Sequence, residues 1–205
     1  MKKKLIIFLI IVFPLVLLAN GPFQRWGNYL ENDLDEGLKI INFRNLCYST
    51  GTLSGIYLVS KYDQVLIQSI KKKYKGKFKI FLDVTNELGN IRYTLPASAV
   101  ITGISLNTKD DKFQDAAFTS LSSLVISDGI VTFLKVLTGR SRPDDGNGPY
   151  HFRPLSGKVS FPSGHAASAF ALLTPWIIYY PNVFTYLLFA LPVGTGLARM
   201  AKNRH

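Results

Sequence analysis

The chain has 205 residues, with 24 Lys and Arg against 13 Asp and Glu and a formal net charge of +11. One cysteine, Cys47, excludes an intrachain disulfide and a cysteine-based metal site. Hydrophobic residues make up 47% and the mean hydropathy is +0.16, high for a soluble protein and low for one wholly embedded in lipid, while the charge favours anionic partners such as phosphates, anionic headgroups or nucleic acid.

Lys2, Lys3 and Lys4 precede an uncharged run from Leu5 to Leu18, the order of an export signal. Ala19 suits the residue before a cut, although Leu17 is large for the small-residue position two before it. The run is short for a span of roughly 20 residues. Residues 1–19 are therefore a signal peptide or a retained signal anchor, and both place the rest of the chain outside the cytoplasm, in the cell envelope or periplasm. Residues 20–77 are expected to form an N-terminal linker and helices. Asn32, Asp33, Asp35 and Glu36 sit in a polar stretch read as linker or short helices, and Gly51 and Gly55 weaken a helix over 46–60. Lys71, Lys72, Lys73, Lys75, Lys77 and Lys79 form a basic run, either a solvated loop or a patch facing anionic lipid. No nucleic-acid-binding motif accompanies it.

A helix is expected over 91–107, with Pro96 in its first turns, and Thr108 to Asp111 is a plausible cap for the next. That next helix runs from about Lys112 to Leu137 and stops at Gly139. Its apolar positions Phe118, Leu121, Leu124, Val125, Ile130, Phe133 and Leu134 keep helical spacing. Gly146 to Pro149 marks a long loop. No charged residue occurs from Ala166 to Ala198, and Pro181-Asn182 divides this stretch into two helices of about 16 residues. They could be core helices or short membrane spans. No strand alternation is present, so the expected class is all-α, a helical bundle.

Three polar islands punctuate the last third: Lys135 to Pro143, Phe161 to His165, and Arg199 to His205. Ser163 suits an N-cap, Gly164 lets backbone approach a ligand, and the first N–H groups of the following helix make an anion site with His165 beside it. The plainer reading is an ordinary capped helix with a surface histidine. Arg142 supplies a planar fork for two phosphate oxygens and Lys135 a point charge; alone, they read as a solvated arginine and a snorkelling lysine. Arg140 is taken as a surface residue. Arg199 and His205 would not share a face of one continuous helix, so a break between them, with Asn203 as a candidate, is needed to bring both to one ligand.

In this order the islands resemble the type-2 phosphatidic acid phosphatase and vanadium haloperoxidase superfamily, with its Lys-x6-Arg-Pro, Pro-Ser-Gly-His and Ser-Arg-x5-His-x3-Asp motifs. The first is complete as Lys135 to Pro143, and the second as Pro162 to His165. The third is present as Arg199 and His205, with Ala198 where the family usually has Ser. The resemblance covers about residues 78–205, the expected phosphatase domain. It implies a bundle with the site at one end. Lys135, Arg142 and Arg199 would bind phosphate oxygens, and Ser163 and Gly164 would complete the cradle. His205 would be the nucleophile and His165 the acid for the leaving oxygen. No metal or other cofactor is implied for a phosphatase acting on a lipid phosphate or small phosphoester at the membrane; vanadate would enter only in the alternative, a vanadate-dependent haloperoxidase. A non-catalytic family member is the third possibility. The family's Asp lies four residues past the nucleophile, so the resemblance also implies a C-terminally truncated member whose last helix is missing.

Overall fold

The computed structural model describes residues 21–39, 62–142, 145–146, 151–157 and 160–202. The expected signal segment, the weak helix over 46–60, Pro143 and His205 lie outside the described residues. The chain divides into two compact units, Met1–Tyr62 and Asp63–His205. In the first, α1 (Pro22–Lys39) is one helix of 18 residues. Pro22 occupies its first position, where the missing N–H has no helical acceptor to lose. Phe23 and Trp26, three residues apart, meet edge to face at 5.4 Å.

The second unit contains α2 (Asp63–Lys73), α3 (Gly76–Leu88), α4 (Ile91–Ser105), α5 (Asp111–Thr138), α6 (Gly164–Tyr179), α7 (Val183–Leu187) and α8 (Ala190–Ala201). No β-strand occurs among the described residues, in keeping with the all-α expectation. The lysine run is exposed but is not a loop. Lys71, Lys72 and Lys73 close α2, where cations complement the carbonyl end of the dipole, and Lys77 and Lys79 lie in α3. The turn between them needs Gly76 at φ +52°.

α5 starts and stops as its sequence signals. The Asp110 side chain accepts from Phe113 N at 3.1 Å, and Gly139 ends the helix in the left-handed region. α6 ends before Pro181, and Asn182 and Thr185 cap α7 reciprocally. The second expected helix of about 16 residues is instead two pieces, α7 and α8, joined by a turn at Leu188–Phe189.

α5 packs along α6, α4 lies against α5, and α8 packs on α3 and α6. The crossings are made by small and polar residues. Ser120 Oγ donates to Leu172 O at 2.7 Å between α5 and α6, and Thr102 Oγ1 donates to Ala117 O at 3.1 Å between α4 and α5. Thr195 Oγ1 donates to Thr85 O between α8 and α3. Gly194 lets these last two approach, since a Cβ there would lie 2.9 Å from Thr85 Oγ1. Ser98, Ser105, Ser120 and Thr195 are buried, whereas Ile104, Ile130, Phe133 and Ile178 are exposed. Small residues inside and large apolar ones outside suit a hydrocarbon surrounding. α5 and the stretch Val183–Ala201 are long and apolar enough to cross a membrane.

Candidate active site

The end of α5 is bound to the start of α6 by the loop between them. Gly139 turns the chain so tightly that a Cβ would fall 1.7 Å from Arg153 O, and its positive φ of +53° favours glycine. The returning segment then pairs with the outgoing one: Arg153 N donates to Gly139 O at 3.1 Å, Ser141 N to His151 O at 3.0 Å, and Leu155 N to Val136 O at 2.9 Å. Farther on, Ser160 N donates to Arg140 O at 3.1 Å and Ser160 Oγ to Ser141 O at 2.8 Å. Thr138 Oγ1, at the last residue of α5, donates to Phe161 O at 2.7 Å. These bonds fix where Ser163 can begin α6. The Phe161–Pro162 bond is cis. Arg140 is not the free surface residue that the sequence suggests. It is half-buried, and its guanidinium lies 5.9 Å from the ring centres of both Phe152 and Phe161, which holds the two arms of the loop together.

Ser163 is the N-cap of α6, its hydroxyl accepting from Ala166 N at 3.4 Å. The N–H groups of Gly164 and His165 therefore belong to the first turn, which has no helical acceptors. Lys135 reaches this turn. A Cβ on Gly164 would lie 3.1 Å from Lys135 Nζ and 3.7 Å from Val131 Cγ1. The missing side chain is what lets an ammonium sit against the helix N-terminus, both of them positive ends. Such an arrangement is stable when an anion lies between them.

Arg199 lies in the last turn of α8, and the helix ends two residues later at Ala201. A break therefore follows Arg199, as the spacing to His205 requires, although His205 itself is outside the described residues. Ala198 is fully buried, so the position where the family usually has Ser is filled by a methyl group. The C-cap residue Lys202 bridges back to Asp83 of α3 at 2.8 Å. Asp83 also takes Lys79 at 2.9 Å and the Tyr74 hydroxyl, and these donors, Lys202 first, hold its carboxyl well below the usual range. This cluster fixes the end of α8. Arg199 and Lys202 are within electrostatic range of His165, and Arg142 and Arg199 within range of Lys135. Arg142 sits in a short turn, its N–H donating to Asp145 Oδ2 at 3.1 Å.

Burial, then the charge of Arg199, push the imidazole of His165 down to about 4; Lys135 and Lys202 add to this and Glu87 opposes it. Without a bound anion, His165 is neutral at pH 7. It opens into a cavity of about 330 Å³ with Lys135, Gly164, Ser168, Asp128 and the turn from Gly89 to Arg92. That turn joins α3 to α4 and supports α6 from beneath. A Cβ on Gly89 would come within 2.4 Å of His165 O. Asn90 caps α4, its side chain accepting from Arg92 N at 3.3 Å.

Lys135, Gly164 and His165 thus share one cavity, with Ser163, Arg142 and Arg199 placed around it. The sequence reading missed the Gly89–Arg92 turn, Asp128 and Ser168. Asp128 was legible: it lies seven residues, two turns, before Lys135, hence on the same face of α5. The Gly89 turn had no signal, since its role depends on where α6 docks.

Lys135, the N-terminus of α6 and the imidazole of His165 meet at one cavity, an arrangement suited to an anion. A family model described as PAP2 superfamily matches residues 116–205. The matched residues are similar to the PAP2 superfamily, the type-2 phosphatidic acid phosphatase group, and they include Lys135, Arg142, the Pro162–His165 motif and Arg199. That similarity suggests phosphoester hydrolysis as the general chemistry. No curated protein and no solved structure gives a significant match to the chain.

Proposed function

We propose that this protein is a phosphatase that hydrolyses phosphate monoesters or lipid phosphates and pyrophosphates through a phosphohistidine, without a metal. The observation that carries the proposal is the placement of Lys135 Nζ against Gly164, with His165 opening into the same cavity. Lys135, Arg142 and Arg199 neutralise the non-bridging oxygens, and the N–H groups at Ser163 and Gly164 add directed donors. His205 attacks phosphorus, the bond to the leaving oxygen breaks, and the proton of His165 goes to that oxygen. Water then attacks phosphorus, His165 takes its proton, and the bond to His205 breaks to release phosphate. His165 is neutral before substrate binds, so the incoming phosphate must bring its proton or raise its affinity for one. The apolar outer face of the bundle and the export-like residues 1–19 support a membrane-associated enzyme whose site faces the cell exterior or periplasm.

The test is His165→Ala. Phosphate release should fall about 10²- to 10⁴-fold, the usual worth of general acid–base catalysis. Binding of orthovanadate should persist, because the cations carry it, and vanadate should inhibit the wild type competitively with no divalent ion present. Wild-type turnover in the variant would remove His165 from its role.

A further inference from the structure

Between Ala116 and Thr138, α5 has two charged residues, Asp128 and Lys135. They are two turns apart, about 10 Å along the axis, and both line the cavity of the phosphate site. A carboxylate there is unfavourable on two counts. It repels the phosphoryl oxygens that the cavity otherwise attracts, and it sits in a helix whose outer face is apolar. Asp128 is within electrostatic range of Lys135, but among the described residues no ion pair or hydrogen bond occupies its carboxylate. Arg92, Asn90 and Ser168 continue the polar lining around it. The three phosphate-binding motifs include none of these four residues.

The cavity, about 330 Å³, is in the range of small-molecule sites and larger than one phosphate fills. Lys135 and Gly164 hold the phosphoryl end, and repulsion by Asp128 keeps it there. The part of the cavity beside Asp128 is left for the alcohol. An alcohol that is pure hydrocarbon next to the ester oxygen would strip water from Asp128 and give nothing back. One that carries a hydroxyl or ammonium there would donate to it.

From this we infer that Asp128 is a specificity-determining residue of the proposed phosphatase. It selects phosphomonoesters whose leaving alcohol bears a hydrogen-bond donor close to the ester oxygen, as in a glycerol or other polyol phosphate. A lipid tail farther along the substrate is compatible with this. The inference rests on the phosphatase reading and concerns the alcohol, whatever carries it.

The experiment compares kcat/KM for glycerol 1-phosphate and n-propyl phosphate, which share a three-carbon chain and differ in the two hydroxyls. The wild type should prefer glycerol 1-phosphate by about 10-fold or more, the worth of one hydrogen bond to a charged group. In Asp128→Ala the ratio should fall to about one, with turnover of n-propyl phosphate retained or raised because a repulsive charge is gone. The isosteric Asp128→Asn should lower the ratio several-fold. An unchanged ratio in either variant, or a wild type that prefers n-propyl phosphate, overturns the inference and leaves the phosphatase reading standing. Loss of activity toward both substrates in both variants would place Asp128 in the catalytic machinery and overturn it too. No phosphate release by the wild type from either ester would instead overturn the phosphatase reading, and the inference with it.

Discussion

When a dianion enters the cavity, His165 should take up a proton. Without the anion, burial and the charges of Arg199, Lys135 and Lys202 hold its imidazole at about 4, against 6.5 in the open. A bound dianion offsets two of those charges but leaves the ring buried. An opposite charge at contact range raises such a group by about 1 to 3 units, so a value near 6 is expected. At pH 5 the protonated fraction would then rise from about 9% to about 91%, an uptake of about 0.8 proton per anion. Sulfate is the suitable probe, because it carries no titrating proton of its own at that pH. Calorimetry of sulfate binding in two buffers of different ionisation enthalpy gives the uptake directly, and His165→Gln subtracts every other group. Equal uptake by wild type and variant would refute the reasoning. It would mean that the cations near His165 do not share an anion with it.

The low affinity of His165 for protons also sets an acid limb of stability. Its folded value lies below its unfolded one, so stability from this group is present above pH 6.5, declines as pH falls from 6.5 to about 4, and declines no further below that. The drop in denaturant midpoint across this window should shrink in His165→Gln. Gly164→Ala places a methyl 3.1 Å from the mobile Lys135 ammonium, which can shift, so vanadate inhibition should weaken by about 10-fold with the fold intact. Gly89→Ala meets the His165 carbonyl at 2.4 Å, where backbone must move, and turnover should fall by about 10²-fold or more; near-normal turnover would show that the turn does not position α6. A reporter inserted between Gly146 and Pro149 should be active only when exported, and cytoplasmic activity would overturn the proposed orientation.

How much of this could be seen in the sequence depended on the range of the interaction. Caps are local, and Asp110, Gly139, Ser163 and Asn182 act at the positions their residue types suggest. Lys135, Arg142 and Arg199 stood out in the sequence because the islands keep a fixed order and spacing. The contact between Lys135 and Gly164 was not, because it depends on loop bonds such as Thr138 to Phe161 and Ser160 to Ser141, which link residues about 20 apart. Arg140 was misplaced for the same reason. Its two aromatic partners come from the far arm of the loop, and nothing adjacent to it announces them.

The apolar pattern of α5 was informative about secondary structure and misleading about burial. Phe133 and Ile130 keep the helical period, yet they are 63% and 54% exposed, while Ala116, Ala117 and Ser120 of the same helix are at most 1% exposed. In water such a pattern would put the large side chains inside, since each buried one is worth about 1.5 to 3 kcal/mol. Against hydrocarbon that driving force between helices vanishes, and close approach of small residues with hydroxyl-to-carbonyl bonds takes its place. Ser120 to Leu172, Thr102 to Ala117 and Thr195 to Thr85 are bonds of that kind, and each ties a separate pair of helices. The same inversion explains why the charged residues of α5 are informative. On a helix whose outer face is apolar, a lysine and an aspartate two turns apart have one polar place to go, and both are found lining the cavity that begins at Gly164.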